Sequence, residues 1–305
     1  MITGFMNKGF TNALRGLAIL LIVIQHVGGG KFFINQLTPC GGTGVALFLL
    51  LSGYGLSESW KKKGCAGFWT GKLLRVYIPY VLWISFLRLL GHRPFTDAEY
   101  FYDVTLLDTS YWYVGYLFWW YVTFYVCSRW LGRYGFAAMV IAGIAFFVFD
   151  CKTIRCEQCM SFVFGVLLSH NKEILHKLSQ RRCFMVSFGM LVVGISALAV
   201  KQLPLLREIQ GSVYWNTTEL LIKLPLAISV LFGALPFSKR MDNCHFLALL
   251  GMMSLELYLV HMHYLYMIES VVDVVAFAFV SLGMAYSFWH FNIIVGHKGR
   301  KVVCR

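Results

Sequence analysis

Long apolar runs, interrupted by short polar segments, recur along the whole 305-residue chain. Runs of about 17–25 residues are each long enough to cross a bilayer as a helix. Windowed hydropathy places about ten of them, centred near residues 19, 50, 82, 120, 142, 163, 192, 228, 256 and 284. The pattern predicts an all-α integral membrane bundle of about ten transmembrane helices, one domain over residues 1–305. The runs near 142 and 163 are short and flank a loop that holds Cys151, Cys156 and Cys159. Gly53 and Pro225 fall inside runs, which is tolerable where neighbouring helices reseat the backbone bonds. The first run lacks a small-residue cleavage site and contains a charge, so it is expected to remain as a span rather than be cut as a signal. No soluble domain, low-complexity tail or repeat breaks the pattern.

Composition sharpens this reading. The chain is 58% hydrophobic and 13% charged, with mean hydropathy +0.66, where a soluble domain carries roughly 25% charged residues. The net charge is +13. In a soluble protein that excess would suggest nucleic acid; here it lies in short loops, so it sets topology and no nucleic-acid partner is expected. The same cations attract membrane lipid headgroups or an anionic cosubstrate.

With the N-terminus inside, the inner segments hold Lys8, Lys61–Lys63, Lys72, Arg75, Arg129, Arg133, Lys172, Lys177, Arg181, Arg182, Lys239, Arg240, Lys298, Arg300, Lys301 and Arg305. The outer segments hold Lys31, Arg88, Arg93, Lys152, Arg155, Lys201, Arg207 and Lys223, so eighteen cations face eight. Both termini are therefore expected to be cytoplasmic. Most acids, Glu157 and Glu219 among them, fall on the outer side. The three loop cysteines match no zinc spacing and read as incidental, with a disulfide open to them if the loop faces an oxidising space. No metal is expected.

Two ionisable residues stand inside the first run, Arg15 and His26 in NALRGLAILLIVIQH. Eleven helical steps return to nearly the same face with a rise of roughly 16 Å. An ionisable group in a span is costly and marks a functional site by default. The alternative is that Arg15 snorkels to one surface and His26 caps the other end in water.

Further groups carry candidate chemistry. In GFWTGKLLRVYIPY, Lys72 and Arg75 are three apart and share a helix face, with Pro79 expected to bend or break the span that follows. They read either as positive-inside anchors or as a phosphate clamp, Arg supplying a planar fork and Lys a point charge. In SLELYLVHMHYL, Ser254, Tyr258 and His261 line one face that should turn inward, Glu256 sits on another and needs a partner, and His263 reads as interfacial. A helix-to-helix hydrogen bond without chemistry is the other account of that face. Ser52-Gly53 permits close packing or local unwinding. The aromatics of SYWYVGYLFWWYVTFY read as an interfacial belt, with Trp112 and Tyr113 also suited to stacking on a sugar.

The sequence has no GxSxG elbow, HExxH pair or Walker loop. It also has no acidic sugar-nucleotide loop motif, which argues against a nucleotide-sugar glycosyltransferase. Taken together, NALRGLAILLIVIQH, FLLLSGYGL, FWTGKLLRVYIPY, YWYVGYLFWWY and SLELYLVH resemble, in order and spacing, the membrane-bound acyltransferase family 3. That family O-acylates sugars of bacterial surface polymers. The resemblance covers nearly the whole chain. It departs at Gly71-Lys72, where the family often has two basic residues, and it looks like the stand-alone type without an appended extracytoplasmic domain.

The resemblance implies acyl-CoA, acetyl-CoA above all, as donor cosubstrate and a sugar hydroxyl of an exported or lipid-linked glycan as acceptor. His26 would be general base or acyl carrier, Arg15 would line the donor path, and Lys72 and Arg75 would hold the CoA phosphates. Ser52, Trp112, Glu256, Tyr258 and His261 would bind substrate or support the site. The cell's inner membrane is the expected location, with transfer at or near its outer face. Two rivals stay open: a proton-coupled transporter using buried His and Glu, and a scaffolding subunit of an export complex.

Overall fold

The computed structural model describes residues 6–91, 96–150 and 152–303, and for residues 35, 38 and 296–303 the backbone alone. Arg93, Cys151 and Arg305, and the side chains of Lys298, Arg300 and Lys301, lie outside what is described. Every regular element among the described residues is a helix.

Among the described residues, six helical stretches are long and apolar enough to cross a membrane: Lys8–Gly29, Pro39–Lys63, Gly132–Phe149, Gln180–Lys201, Val213–Asp242 and Asp273–Val295. His245–Met252 and Ser254–Met267 make a seventh if the pair is one broken span. Three other expected spans are helical with different character. Ser161–His170 has ten residues, about 15 Å of rise against a hydrocarbon core near 30 Å. Trp112–Trp130 is nineteen residues long but rich in Trp and Tyr, whose polar groups lower its hydropathy. The run from Phe68 to Leu89 is continuously helical and carries Lys72, Arg75 and Arg88.

Local chemistry sets the helix ends. The Asn7 side chain accepts from Phe10 N at 2.7 Å and starts Lys8–Ile24, satisfying a donor that has no helical partner. Ser179 and Ser212 do the same for Gln180–Lys201 and Val213–Ala234, and Thr96 with Glu99 forms a capping box. Pro225 is buried within Val213–Ala234, which continues through it.

Of the bend or break expected at Pro79, the break does not occur: the helix runs on through it. A π-turn over Leu73–Tyr77 precedes it, and Pro79 falls in the first turn of Ile78–Leu89. Proline lacks the N–H that an α-helix would use at that position and its ring crowds the preceding turn; the wider π-turn accommodates both.

The backbone gathers into two compact units. The first comprises Met1–Lys63 and Thr123–Met252, and the second Gly64–Val122 and Met253–Arg305. In the first, Lys8–Ile24, Thr38–Lys63 and Ser161–His170 pack through glycines. A Cβ on Gly53 would lie 2.2 Å from the Phe162 carbonyl oxygen, and one on Gly165 would lie 2.0 Å from that of Leu50. The two backbones therefore touch, as small residues allow in membrane bundles. Of the two readings of Ser52-Gly53, close packing holds, and the helix does not unwind. Gly16 and Gly251 make a second such crossing between Lys8–Ile24 and His245–Met252.

Within the second unit, Tyr111 ties two helices together. Its hydroxyl accepts from Trp83 Nε1 at 3.0 Å and donates to the Leu259 carbonyl at 3.1 Å. Tyr80, fully buried, donates to Asp103 Oδ1 at 3.0 Å and lies 2.6 Å from Thr109 Oγ1. Ser110 N adds a second bond to the same carboxylate oxygen at 3.0 Å.

Candidate functional site

The candidate residues divide between the units. Arg15, His26 and Ser52 belong to the first; Lys72, Arg75, Trp112, Glu256, Tyr258 and His261 belong to the second.

In the first unit, His26 lies in a π-turn, Gln25–Gly29, that extends the Lys8–Ile24 helix without a break. The wider turn is uncommon and recurs at functional positions. His26 and Arg15 are both half-buried. The Arg15 guanidinium faces the Thr38–Lys63 helix at Gly55, its Nη2 3.9 Å from where a Cβ on Gly55 would lie. The π-turn rests on its neighbours at small residues. A Cβ on Gly41 would lie 2.4 Å from Gln25 Oε1, and one on Gly28 would lie 2.3 Å from Leu37 Cδ1.

The Lys61–Lys63 run is divided in its use. Lys61 Nζ donates to Glu58 Oε1 at 3.0 Å and to the Ser169 carbonyl at 2.6 Å. Lys172 takes the other Glu58 oxygen at 2.7 Å. Lys61 is thus engaged in holding the end of Ser161–His170, while Lys62 and Lys63 are exposed.

In the second unit, Lys72 and Arg75 part company although three residues separate them. Lys72 Nζ lies 4.9 Å from the Tyr121 ring centre and 5.7 Å from that of Phe68, a cation–π arrangement. Arg75 is exposed. The π-turn that begins at Leu73 changes the angular step between them, so α-helical spacing does not describe their faces.

Tyr258 and His261 come together as expected. Their ring centres are 5.9 Å apart, both are buried, and Tyr111 and Tyr113 close on Tyr258 at 6.0 and 5.6 Å. His261 Nδ1 is 2.8 Å from the Leu257 carbonyl. Glu256 is buried, and its partner is Asn292, whose Nδ2 donates to Oε1 at 3.0 Å. His263 packs its ring against Trp83, Tyr264 and Tyr266.

The aromatic belt is corrected in part. Trp119 is exposed as a belt residue would be, and Trp112 is half-buried. Tyr111, Tyr113, Tyr116, Trp120 and Tyr121 are interior instead. In the interior Tyr116 and Trp120 stack edge to face.

A second correction concerns Lys223 and Glu219, two of the charges expected in loop segments. Lys223 lies mid-helix in Val213–Ala234 and is only 6% exposed, with Glu219 at 4% and Glu157 at 8%. Lys223 Nζ donates to Glu157 Oε2 at 2.7 Å and also bonds Glu219 Oε2. Lys201 Nζ takes the other Glu219 oxygen at 2.6 Å. Gln158 extends this network by donating to the Gly42 carbonyl at 3.0 Å. The i, i+4 spacing of Glu219 and Lys223 was visible in the sequence; the contribution of Glu157 depends on packing.

In the cysteine loop, Cys156 and Cys159 are both buried. Cys156 Sγ donates to the Asp150 carbonyl at 3.2 Å. Burial pushes the Cys159 thiol up to about 12.

A family model described as an acyltransferase domain (Acyl_transf_3) matches residues 9–295. No curated protein and no solved structure matches the chain.

Proposed function

The chain belongs to the acyltransferase family 3, and we propose that it is an acyl-CoA-dependent membrane O-acyltransferase, acetyl-CoA being its donor and a sugar hydroxyl of an exported or lipid-linked glycan its acceptor. The observation that carries this reading is the placing of His26: an imidazole in a π-turn at the end of an apolar helix that also carries Arg15. Imidazole suits proton transfer near neutral pH.

In the proposed reaction His26 takes the proton of the acceptor hydroxyl. The acceptor oxygen bonds to the thioester carbonyl carbon, the carbon–sulfur bond breaks, and its electron pair leaves with sulfur. The proton held by His26 passes to that thiolate. Arg75, exposed, and Lys72, beside it in sequence, are the cations assigned to the donor phosphates. Arg15 lines the donor path. Ser52, Trp112, Glu256, Tyr258 and His261 support the acceptor side. The same reading has ten membrane crossings, cytoplasmic termini and a place in the inner membrane. Family membership favours it over a proton-coupled carrier.

Everted membrane vesicles supplied with labelled acetyl-CoA test the assignment. Wild type should transfer label to glycan, and His26→Ala should not. Transfer that persists in His26→Ala would remove His26 from the chemistry. Absence of transfer to any glycan, with proton-driven solute uptake, would favour the carrier.

A further inference from the structure

We propose that Lys223 is a positioning residue for the His26 turn, acting through Glu157, Gln158 and the pair Gly41-Gly42; this rests on the role given to His26 above. Burying charges is unfavourable unless each finds a partner. Here each does: Lys223 between Glu157 and Glu219, and Lys201 on the remaining Glu219 oxygen. Such a network has few alternative arrangements, so it fixes whatever it touches.

It touches the start of the Thr38–Lys63 helix twice. The Lys223 stem packs over Gly42, where a Cβ would lie 2.5 Å from Cε and 2.6 Å from Cγ. Gln158, next to Glu157, donates to the Gly42 carbonyl, and Ser161 Oγ donates to Gln158 Oε1 at 3.2 Å. The adjoining Gly41 meets Gln25, with the Gln25 Cβ 3.1 Å from where a Gly41 Cβ would lie. Gln25 opens the π-turn and His26 follows it. The path from Lys223 to His26 therefore runs through contacts that leave no room for a single added carbon. All of it lies within the first unit. A displacement near 1 Å at a catalytic group costs on the order of a hundredfold in rate, so the network is placed to set turnover. Lys72 and Arg75 belong to the other unit, so donor binding should be spared.

The test uses purified full-length protein with acetyl-CoA and a glycan acceptor, rates being normalised to acetyl-CoA binding sites. Lys223→Met is expected to lower kcat about tenfold or more, and Gln158→Met about threefold, with KM for acetyl-CoA held within about twofold. Gln158→Met leaves every charge paired and carries the test if Lys223→Met fails to fold. The double variant should be no worse than Lys223→Met, since both act through Gly42. Unchanged kcat per binding site, multiplicative losses, or a loss confined to KM would each overturn the proposal.

A readout without turnover separates this inference from the one beneath it. Disulfide formation between Gln25→Cys and Gly41→Cys should be rapid with Lys223 present and slower with Lys223→Met. Equal rates would refute the coupling even if His26→Ala is inactive. If instead His26→Ala keeps its activity while cross-linking still depends on Lys223, the fault lies with the assignment of His26.

Discussion

His261 and the Leu257 carbonyl are 2.8 Å apart through Nδ1, one turn back on the same helix. A carbonyl only accepts, so Nδ1 carries the hydrogen of this bond. The ring is fully buried beside Tyr258, so its orientation is held from two sides.

This relationship makes the two amide replacements unequal. Asparagine places its amide near Nδ1 and keeps the bond to Leu257; glutamine reaches toward Nε2. If His261 supports the acceptor side through Nε2, His261→Gln should transfer faster than His261→Asn by about five- to tenfold, the worth of one neutral hydrogen bond. Initial rates at saturating donor decide this, and equal losses would assign His261 to packing alone.

The Gly53–Phe162 crossing should tolerate no side chain. Gly53→Val puts a carbon against a backbone carbonyl, and overpacking of this kind costs about 1–3 kcal/mol or more. Gly55→Ala, two residues on, meets only Arg15 Nη2 at 3.9 Å and should stay within about 0.5 kcal/mol. Thermal melting in detergent compares them. A Gly53→Val protein as stable as Gly55→Ala would contradict the crossing.

Cysteine labelling follows from exposure and ionisation. Cys65 is exposed, while Cys156 and Cys159 are buried. The Cys159 thiol, pushed up to about 12, stays protonated through neutral pH, and thiolate is the reactive form. A membrane-impermeant maleimide at pH 7 should modify Cys65 and leave Cys156 and Cys159 untouched in folded protein. With the cytoplasmic orientation proposed, Cys65 should label in everted vesicles and resist in intact cells; the reverse pattern would invert the topology.

Arg75 should act on donor binding more than on turnover. Loss of one charge-assisted bond to phosphate, about 1.5–3 kcal/mol, predicts a rise in KM for acetyl-CoA of roughly tenfold or more in Arg75→Ala, with kcat near wild type. Added salt should narrow the gap because Arg75 is exposed. A fall in kcat at constant KM would place Arg75 elsewhere in the reaction.

What the sequence disclosed was set by period and hydropathy. Gly53 at a helix crossing and the Tyr258–His261 face both depend on one helix at a time, and periodicity reads one helix at a time. The π-turns at Gln25–Gly29 and Leu73–Tyr77 were not legible, because one extra residue in a turn barely shifts an apolar pattern. Lys223 and Glu219 were legible as an i, i+4 pair but were assigned to a loop, since a charge near the end of an apolar run usually marks its end. Only the packing of Glu157 against them shows that the charges are interior. The inward turn of Tyr113, Tyr116 and Trp120 was hidden for a related reason: an aromatic serves equally at an interface and in a core.

In the proposed reaction His26 performs the proton transfer and does not hold the donor. The most direct measurement pairs equilibrium binding of labelled acetyl-CoA with the rate of acyl transfer in His26→Ala. Binding should stay within about threefold of wild type and transfer should fall by about a hundredfold or more, the share a positioned base contributes. Transfer within a few-fold of wild type, or loss of binding together with transfer, would contradict that assignment.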